Sequence, residues 1–202
     1  IYVGGTGKTP LSLLIAKELL KLKKRPAIIR KYYKEHIDEY NLVKNDLDCL
    51  FLAKNRSTAI ENAEKSGYQL AILDDGFQDF SIVKNLNILC FNSKQLIGNG
   101  MTMPSGPLRE NLNAIKMTQI VLINGEKNSE FEAKLKKINS KISIFYSYYK
   151  LINSENFKDK NILAFAGIGN PENFFDLLIE SGLNVKETIS FPDHYDFKKK
   201  EV

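Results

Sequence analysis

The sequence predicts an α/β fold: a mostly parallel sheet flanked by helices, with a smaller C-terminal α/β lobe. Two observations predict it. Short apolar runs alternate with segments of helical periodicity along most of the chain, and a strand, a glycine turn and a helix follow one another both at YVGGTGKTP and at AFAGIGNPENFF. Strands that alternate with helices are typical of βαβ units, whose strands are parallel. We expect residues 1–150 to form the main domain and residues 151–202 a partial C-terminal lobe.

The individual elements follow from apolar periodicity. Tyr2 and Val3 are predicted to end a strand, and a helix follows the first glycine turn, with Pro10 in its first turn. Further strands are predicted in RPAIIR (25–30), DCLFLA, YQLAIL, LNILCFN (86–92), QIVLIN, SIFYSYYKL and NILAFA, and further helices at about 57–66, in EKNSEFEAKLKKI and in PENFFDLLIESG. Residues 31–47 are predicted to be irregular, and residues 93–117 to form a long loop of a kind that is often functional.

Composition limits the partners. With 202 residues, 43% of them hydrophobic, the chain can bury one substantial core, or one core and a small lobe. The net charge of +5 suits an anionic partner, but the basic residues are dispersed and no nucleic-acid recognition pattern occurs, which disfavours nucleic-acid binding. Cys49 and Cys90 lie in apolar runs and are predicted to be buried thiols. Because the chain opens at its glycine turn and stops at DFKKKEV, we expect it to be part of a longer protein.

The stretch VGGTGKTP (3–10) has the composition of a phosphate-binding loop. Its glycines allow the backbone N–H groups to turn inward, Lys8 can reach the β- and γ-phosphates of a nucleotide, and the Thr9 hydroxyl can ligate Mg²⁺. The usual pattern has a first glycine where this chain has Tyr2, so the alternative is a glycine-rich turn with a chance lysine. The flanking strand and helix favour a nucleotide cradle, so the predicted α/β fold is of the phosphate-loop NTPase type, with residues 1–150 as its nucleotide-binding core. Its predicted residues are Tyr2, Val3, Gly4, Gly5, Thr6, Gly7, Lys8 and Thr9.

Two further groups of residues are candidates for chemistry. Asp74 and Asp75 follow an apolar strand, and the carboxyl ends of parallel strands face the ligand in such sheets, so these acids are predicted to lie near the phosphate loop and hold Mg²⁺. The alternative is a simple Asp-Gly turn. A phosphate-loop protein that phosphorylates an alcohol also needs a group to accept the proton of that hydroxyl. Asp38 and His194 are candidates, although a lone histidine is more often a solvent or capping residue.

With these segments together, the chain resembles the tetraacyldisaccharide 4′-kinases, the lipid A kinases of Gram-negative bacteria. The stretches VGGTGKTP, LDDGFQ, IGNGMTMPSGPLREN, FAGIGNPENFF and FPDHYDF resemble the family's blocks in the same order. The family's phosphate loop also lacks the first glycine, which accounts for Tyr2. The resemblance spans essentially the whole chain.

The resemblance implies an ATP- and Mg²⁺-dependent transfer of phosphate to the 4′-hydroxyl of an acylated glucosamine disaccharide 1-phosphate. It implies catalytic roles for Lys8, Asp38 and His194, the last two activating the sugar hydroxyl together. It implies a metal and phosphate environment of Thr9, Asp74, Asp75 and Glu110. Because the substrate is a lipid, it also implies a peripheral protein on the cytoplasmic face of the bacterial inner membrane.

Several departures from the family pattern bear on these roles. The family's Ser-Arg-Gly-Tyr-Gly stretch is replaced by IIRKYYKEH, a shorter segment in which Ile37 stands where a glycine precedes the aspartate. Asp79 follows Gln78 where the family usually has His or Asn, and the family's N-terminal apolar helix and a C-terminal section are not in this chain. The alternative functions are therefore a nucleotide-dependent switch without an acceptor, and an inactive nucleotide-binding remnant.

Overall fold

The computed structural model describes residues 1–193, 195 and 197; His194, Asp196 and residues 198–202 lie outside the described part. The chain divides into two compact units, Ile1–Tyr146 and Ser147–Val202, a boundary four residues before the predicted one at 150. Each unit has its own core, and the two are described separately below.

The first unit contains four helices and six strands among its described residues. The helices are α1 (Lys8–Lys21), α2 (Ile37–Asp46), α3 (Arg56–Lys65) and α4 (Ser129–Ile138). The strands are β1 (Pro26–Lys31), β2 (Leu50–Ala53), β3 (Leu70–Leu73), β4 (Ile88–Asn92), β5 (Ile120–Asn124) and β6 (Ser143–Ser147). Short 3₁₀ helices cover Lys34–His36 and Leu112–Met117.

The strands of this unit form two three-stranded sheets, in the orders β2–β1–β3 and β4–β5–β6. The central strand β1 pairs in parallel with both of its neighbours, and β4 pairs in parallel with β5. Parallel neighbours need crossover connections, which α2 supplies between β1 and β2 and α3 between β2 and β3. The predicted α/β class with mostly parallel strands is confirmed.

Helices cover both faces of the first sheet. Because successive side chains of β1 point to opposite faces, the strand contacts helices on both sides. Ile28 packs with Ala16 of α1 and Val43 of α2, whereas its neighbours Ala27 and Ile29 pack on the opposite face with alanines of α3. All three strand residues are completely buried. Coverage of both faces produces the uninterrupted apolar run that identified this strand in the sequence.

The second sheet carries the largest core cluster, built on Leu89, Phe91, Val121 and Ile123 of β4 and β5. The ring of Phe91 meets the ring of Phe131 from α4 edge-on, with centroids 5.2 Å apart. Cys49 and Cys90 are both free and buried, which confirms the prediction for the thiols. Burial raises the pKa of Cys90 to about 11, so the group is a neutral thiol at physiological pH.

The second unit consists of β7 (Ile162–Ala166), α5 (Pro171–Glu180) and β8 (Val185–Ser190), preceded by a 3₁₀ turn over Ser154–Phe157. β7 and β8 are parallel, and α5 makes the crossover between them. Pro171 stands at the start of α5, where its missing N–H leaves no hydrogen bond unmade. None of the described helices in either unit has the length and apolar character that crossing a bilayer requires.

Two local predictions are wrong. Residues 31–47, predicted to be irregular, contain α2: Asp38 and Glu39 occupy its first turn and Lys44 its last, which suits the helix dipole, and only Tyr40 and Val43 are buried. Two buried residues in an otherwise polar segment are too few to give a clear helical pattern in the sequence. Tyr2 and Val3 do not end a regular strand either, because Tyr2 makes only an isolated antiparallel bridge to Leu108.

Candidate functional site

The glycine-rich turn closes around the N-terminus of α1. Gly4, Gly5 and Gly7 all have positive φ, of 72°, 66° and 86°, a region that side chains with a Cβ rarely adopt. Gly7 is the N-cap of α1, and its carbonyl accepts the hydrogen bond of the Leu11 N–H. The free N–H groups of the first helical turn therefore face the turn, as an anion site requires.

Lys8 folds back across this turn. Its Nζ donates a hydrogen bond to the Tyr2 carbonyl, 3.3 Å away, and lies 3.7 Å from Oδ1 of Asp75. The Lys8 side chain is about one quarter exposed. The cation is thus held beside the glycine turn, with an open side toward solvent, where it can meet a phosphate.

Asp74 lies beneath the turn and is 1% exposed. Its Oδ2 accepts a hydrogen bond from the Thr9 hydroxyl at 3.0 Å, and its Oδ1 accepts one from Ser12 at 3.1 Å. Burial raises the pKa of this carboxyl, and the charge of Arg30 and the two hydroxyls oppose that rise. A buried acid that touches the hydroxyl following the lysine is the arrangement expected of a Mg²⁺ site in a phosphate-loop protein.

Asp75 is turned toward the cations instead. It adopts a positive φ of 52°, and its Oδ2 accepts a hydrogen bond from Nη1 of Arg109 at 2.6 Å. Burial acts to raise the pKa of Asp75, but Lys8 and Arg109 outweigh it, and the pKa is lowered. Asp75 is therefore charged at neutral pH and links the lysine of the loop to the arginine of the PLRE segment (107–110).

A buried arginine holds the turn that begins with these two acids. Arg56, the first residue of α3, donates through Nη2 to the Asp75 carbonyl at 2.8 Å and to the Asp74 carbonyl at 3.4 Å. Its Nη1 donates to the Asp79 carboxylate at 3.3 Å. One guanidinium therefore binds both ends of the DDGFQD turn (74–79). Asp79, which departs from the family pattern, has Arg56 as its partner in this chain.

The PLRE segment runs alongside the start of the loop. The Val3 N–H donates to the Pro107 carbonyl at 3.1 Å, the Arg109 N–H donates to the Ile1 carbonyl at 2.7 Å, and Leu108 between them is completely buried. These backbone hydrogen bonds place Arg109 beside Asp75. The long predicted loop is therefore joined directly to the phosphate-loop region.

The predicted metal residues fit a Mg²⁺ ion in part. Thr9 and Asp74 are in contact, Asp75 is adjacent, and Oε1 of Glu110 is buried without a hydrogen-bond partner among the described residues. Within that described part, three acidic, histidine or cysteine side chains do not gather at one point. Mg²⁺ bound beside phosphates usually takes only one or two protein carboxylates, with waters and phosphate oxygens as its other ligands. The donor set is therefore suitable for Mg²⁺ held together with a nucleotide.

The predicted acceptor residues are less completely defined. Asp38 lies in the first turn of α2 and is exposed. Its neighbour Glu39 forms an ion pair with Arg30 of β1. His194 lies outside the described residues, so the pairing of Asp38 with His194 stays a prediction.

Sequence reasoning missed five residues of this site: Ser12, Arg30, Glu39, Arg56 and Arg109, although Arg109 lies in a segment that carried part of the family resemblance. Ser12 had a usable signal, since it lies one helical turn after Lys8 and shares its face. Arg30 also had one, because a charged residue that ends a fully buried strand needs a partner. Nothing local distinguished Glu39 or Arg56 from the other charged residues of helical segments.

The comparisons with known proteins agree with this geometry. A family model described as tetraacyldisaccharide-1-P 4′-kinase (LpxK) matches residues 1–202. The tetraacyldisaccharide 4′-kinase of Pelagibacter ubique is 42% identical over 204 residues, which cover 100% of this chain and 65% of that protein. The corresponding protein of Parvibaculum lavamentivorans is 30% identical over 219 residues, covering 100% of this chain and 64% of that protein. The chain thus spans a little under two thirds of the length of these relatives.

A solved structure is similar as well. The crystal structure of LpxK from Aquifex aeolicus in complex with ATP matches with a TM-score of 0.70 and 27% identity, covering 100% of this chain and 72% of that chain. The match confirms the predicted phosphate-loop type of α/β fold. Together with the family model, which extends over the whole chain, it leads to one assignment. The chain belongs to the tetraacyldisaccharide-1-P 4′-kinase family.

Proposed function

We propose that the protein transfers the γ-phosphoryl group of ATP, with Mg²⁺, to the 4′-hydroxyl of tetraacyldisaccharide 1-phosphate, a step in lipid A biosynthesis. One observation carries the proposal most strongly: Thr9 contacts the buried Asp74 while Lys8 contacts Asp75, so both halves of a phosphate and metal site converge on one pair of acids. Family membership supplies the substrate class.

On the nucleotide side, the loop N–H groups and Lys8 would bind the β- and γ-phosphates, and Thr9 and Asp74 would hold Mg²⁺. The metal, when bound, neutralises charge on the phosphate oxygens. Arg109 adds a second cation beside Lys8, because both contact Asp75. A phosphate that approaches Lys8 would compete with Asp75 for the lysine, and Arg109 would then remain to balance the carboxylate.

On the acceptor side, Asp38 is proposed to accept the proton of the 4′-hydroxyl, with His194 as its partner. The hydroxyl oxygen forms a bond to the γ-phosphorus, the bond from that phosphorus to the β–γ bridging oxygen breaks, and ADP leaves. Transfer of this kind depends mainly on positioning and charge neutralisation. The exposure of Asp38 in the first turn of α2 supports a role at an open acceptor face.

A peripheral position on the cytoplasmic face of the inner membrane is part of the same proposal. The acyl chains of the substrate belong in a bilayer, whereas ATP is supplied from the cytoplasm. A protein that joins the two must work at that surface. Binding of the chain to vesicles that contain the disaccharide lipid, compared with vesicles that lack it, tests this part separately.

The kinase proposal is tested by transfer of radioactive phosphorus from γ-labelled ATP to tetraacyldisaccharide 1-phosphate in detergent, with and without Mg²⁺. Lys8→Met should abolish transfer. Lys17→Met is the matched control on the same helix, because Lys17 makes only an ion pair with Asp46 among the contacts described for it, and transfer should be unchanged. The Pelagibacter ubique relative serves as the comparison enzyme.

The outcomes are distinct. Mg²⁺-dependent labelling of the lipid that Lys8→Met removes and Lys17→Met retains supports the kinase. Binding of ATP without labelling, while the relative labels the lipid under the same conditions, contradicts it and favours a nucleotide-binding remnant. Hydrolysis of ATP at a rate that the lipid does not change favours a switch.

A further inference from the structure

Arg30, at the end of β1, connects two carboxylates that belong to different elements. Its side chain is 9% exposed, its Nη2 donates to Oε2 of Glu39 in α2, and its Nε lies 3.5 Å from Oδ2 of Asp74. Its guanidinium also lies over the ring of Tyr40, 5.3 Å from the centroid. The same cation therefore contacts both the buried acid of the phosphate loop and the first turns of α2.

The sheet register places Arg30 at this junction. Ile29 of β1 is paired with Leu73 of β3, and the Asp74 N–H donates to the Ile29 carbonyl at 3.1 Å. Arg30 and Asp74 are therefore the residues that follow this pair at the carboxyl end of the sheet. Ligands of open parallel sheets bind at that end, so a cation here acts within the site.

A second contact holds α2 at the same place. The Tyr40 hydroxyl donates to the Lys31 carbonyl at 2.9 Å and accepts from the Tyr33 N–H at 2.7 Å. Tyr40 thus fixes α2 on the end of β1 by neutral hydrogen bonds, but it contacts no acid of the phosphate loop in the described structure. Only the guanidinium, among the contacts described for α2, reaches across to Asp74.

An arginine suits this position better than a lysine. Its planar guanidinium has five N–H donors in fixed directions and keeps its charge at all working pH values, so it can serve two carboxylates at once. Its Nη1 is buried without a hydrogen-bond partner among the described residues, so the contacts described for the guanidinium are those with the two acids and with Tyr40. A single ammonium could follow one acid and lose the other.

We propose that Arg30 is a positioning residue that ties the first turn of α2 to Asp74, and so sets the acceptor side of the site relative to the phosphate side. The consequence for phosphoryl transfer rests on the proposed function, because Asp38, the proposed acceptor of the hydroxyl proton, lies in that turn. The mechanical link itself, from Asp74 through Arg30 to Glu39, does not depend on the reaction.

The test compares Arg30→Met, Arg30→Lys and Glu39→Gln with two matched controls. Arg25→Met removes another arginine from the same strand region, one that also lies over a tyrosine ring, 5.2 Å from the centroid of Tyr68, but touches neither acid. Asp38→Asn removes a first-turn negative charge from α2 as Glu39→Gln does, and so controls for the helix dipole in the exchange measurement.

The first readout is amide hydrogen exchange over Ile37–Asp46. Arg30→Met should speed exchange of these amides by about tenfold or more, while exchange in α3 stays unchanged, because loss of the link loosens α2 locally. Glu39→Gln should give part of this effect, Asp38→Asn less than Glu39→Gln, and Arg25→Met none. Arg30→Lys should fall between Arg30→Met and the unmodified protein.

The second readout is the division between binding and turnover. Arg30→Met should lower kcat for transfer to the lipid by about tenfold to 100-fold through misplacement of the acceptor turn. Its affinity for ATP measured without Mg²⁺, which depends on the glycine loop and Lys8, should change less than about threefold, and Arg30→Lys should recover part of kcat.

Several results would overturn the proposal. Exchange over α2 that is the same in Arg30→Met and Arg25→Met contradicts the link. If Arg30→Met does not fold, Glu39→Gln decides, and α2 exchange no faster than in Asp38→Asn contradicts it. Absence of transfer by the unmodified protein would count against the proposed function alone, since the exchange measurement needs no reaction.

Discussion

Nη1 of Arg109 lies 2.6 Å from Oδ2 of Asp75, and Nζ of Lys8 lies 3.7 Å from Oδ1 of the same carboxylate. The glycine loop and the PLRE segment, about a hundred positions apart in the sequence, therefore meet at one acid. Asp75 holds two cations beside the place where a phosphate chain would bind. Substitutions in this cluster should affect the free energy of unfolding and the rate of phosphoryl transfer to different degrees.

Arg109→Met should lower phosphoryl transfer by about tenfold or more, because a phosphate-side cation is lost. The free energy of unfolding should change by less than about 1 kcal/mol, since the Arg109–Asp75 pair is one third exposed and screened by water. Denaturant unfolding and the transfer assay measure the two effects. Equal transfer by Arg109→Met and the unmodified protein would show that the arginine has no part in the reaction.

Thr9→Val and Ser12→Ala form a matched pair, because each removes one hydroxyl that donates to Asp74. Both should lower the free energy of unfolding by about 1–3 kcal/mol, as a buried carboxylate loses a donor. Thr9→Val should also lower Mg²⁺-dependent transfer by about 100-fold, whereas Ser12→Ala should lower it about tenfold.

A titration of Mg²⁺ at fixed ATP distinguishes these two variants. If Thr9→Val and Ser12→Ala show the same dependence on Mg²⁺, the hydroxyl of Thr9 is a structural donor only, and its assignment as a metal ligand is wrong.

Arg56→Met should be the most destabilising of these substitutions. It leaves the carbonyls of Asp74 and Asp75 without their buried donor and removes the counter-charge of Asp79, at a cost of about 2–4 kcal/mol. Asp79→Asn keeps an oxygen that can accept from Arg56, so it should cost less than about 1 kcal/mol. Urea unfolding of the two variants measures the difference; a larger loss in Asp79→Asn than in Arg56→Met would contradict the role of the guanidinium as the clamp of the turn.

The sequence was sufficient for the parts of the site whose chemistry is local. Gly4 to Thr9 are consecutive residues of the glycine turn and the start of α1, and Asp74 and Asp75 directly follow an apolar strand. The parallel strands that bring these two segments together could be expected from the alternation of strands and helices alone. The predicted proximity of the acidic strand end to the phosphate loop needed no further information.

The remaining contacts depend on the order of the strands, which a single sequence does not contain. Arg30 meets Asp74 because β1 and β3 are neighbours in the sheet, with β2 on the other side of β1. Ser12 reaches Asp74 across 62 positions of sequence. The helix that carries Asp38 was missed for a different reason: two buried side chains, Tyr40 and Val43, are too few to produce a clear helical pattern.

The pH dependence of stability gives a test of Asp75 that requires no substrate. Its pKa in the folded protein is lowered from the usual 3.8, so the unfolded chain takes up the proton first as the pH falls. The stability that Asp75 contributes is therefore fully present above its unfolded pKa and is lost as the pH falls through the lower folded pKa. Asp75→Asn lacks this ionisation, and asparagine tolerates the positive φ at this position.

The difference in the free energy of unfolding between the unmodified protein and Asp75→Asn should accordingly be constant near neutral pH and shrink below about pH 4. Urea unfolding at a series of pH values measures it. A difference that stays constant down to about pH 2, or that grows as the pH falls, would mean that Lys8 and Arg109 do not stabilise the charged form of Asp75.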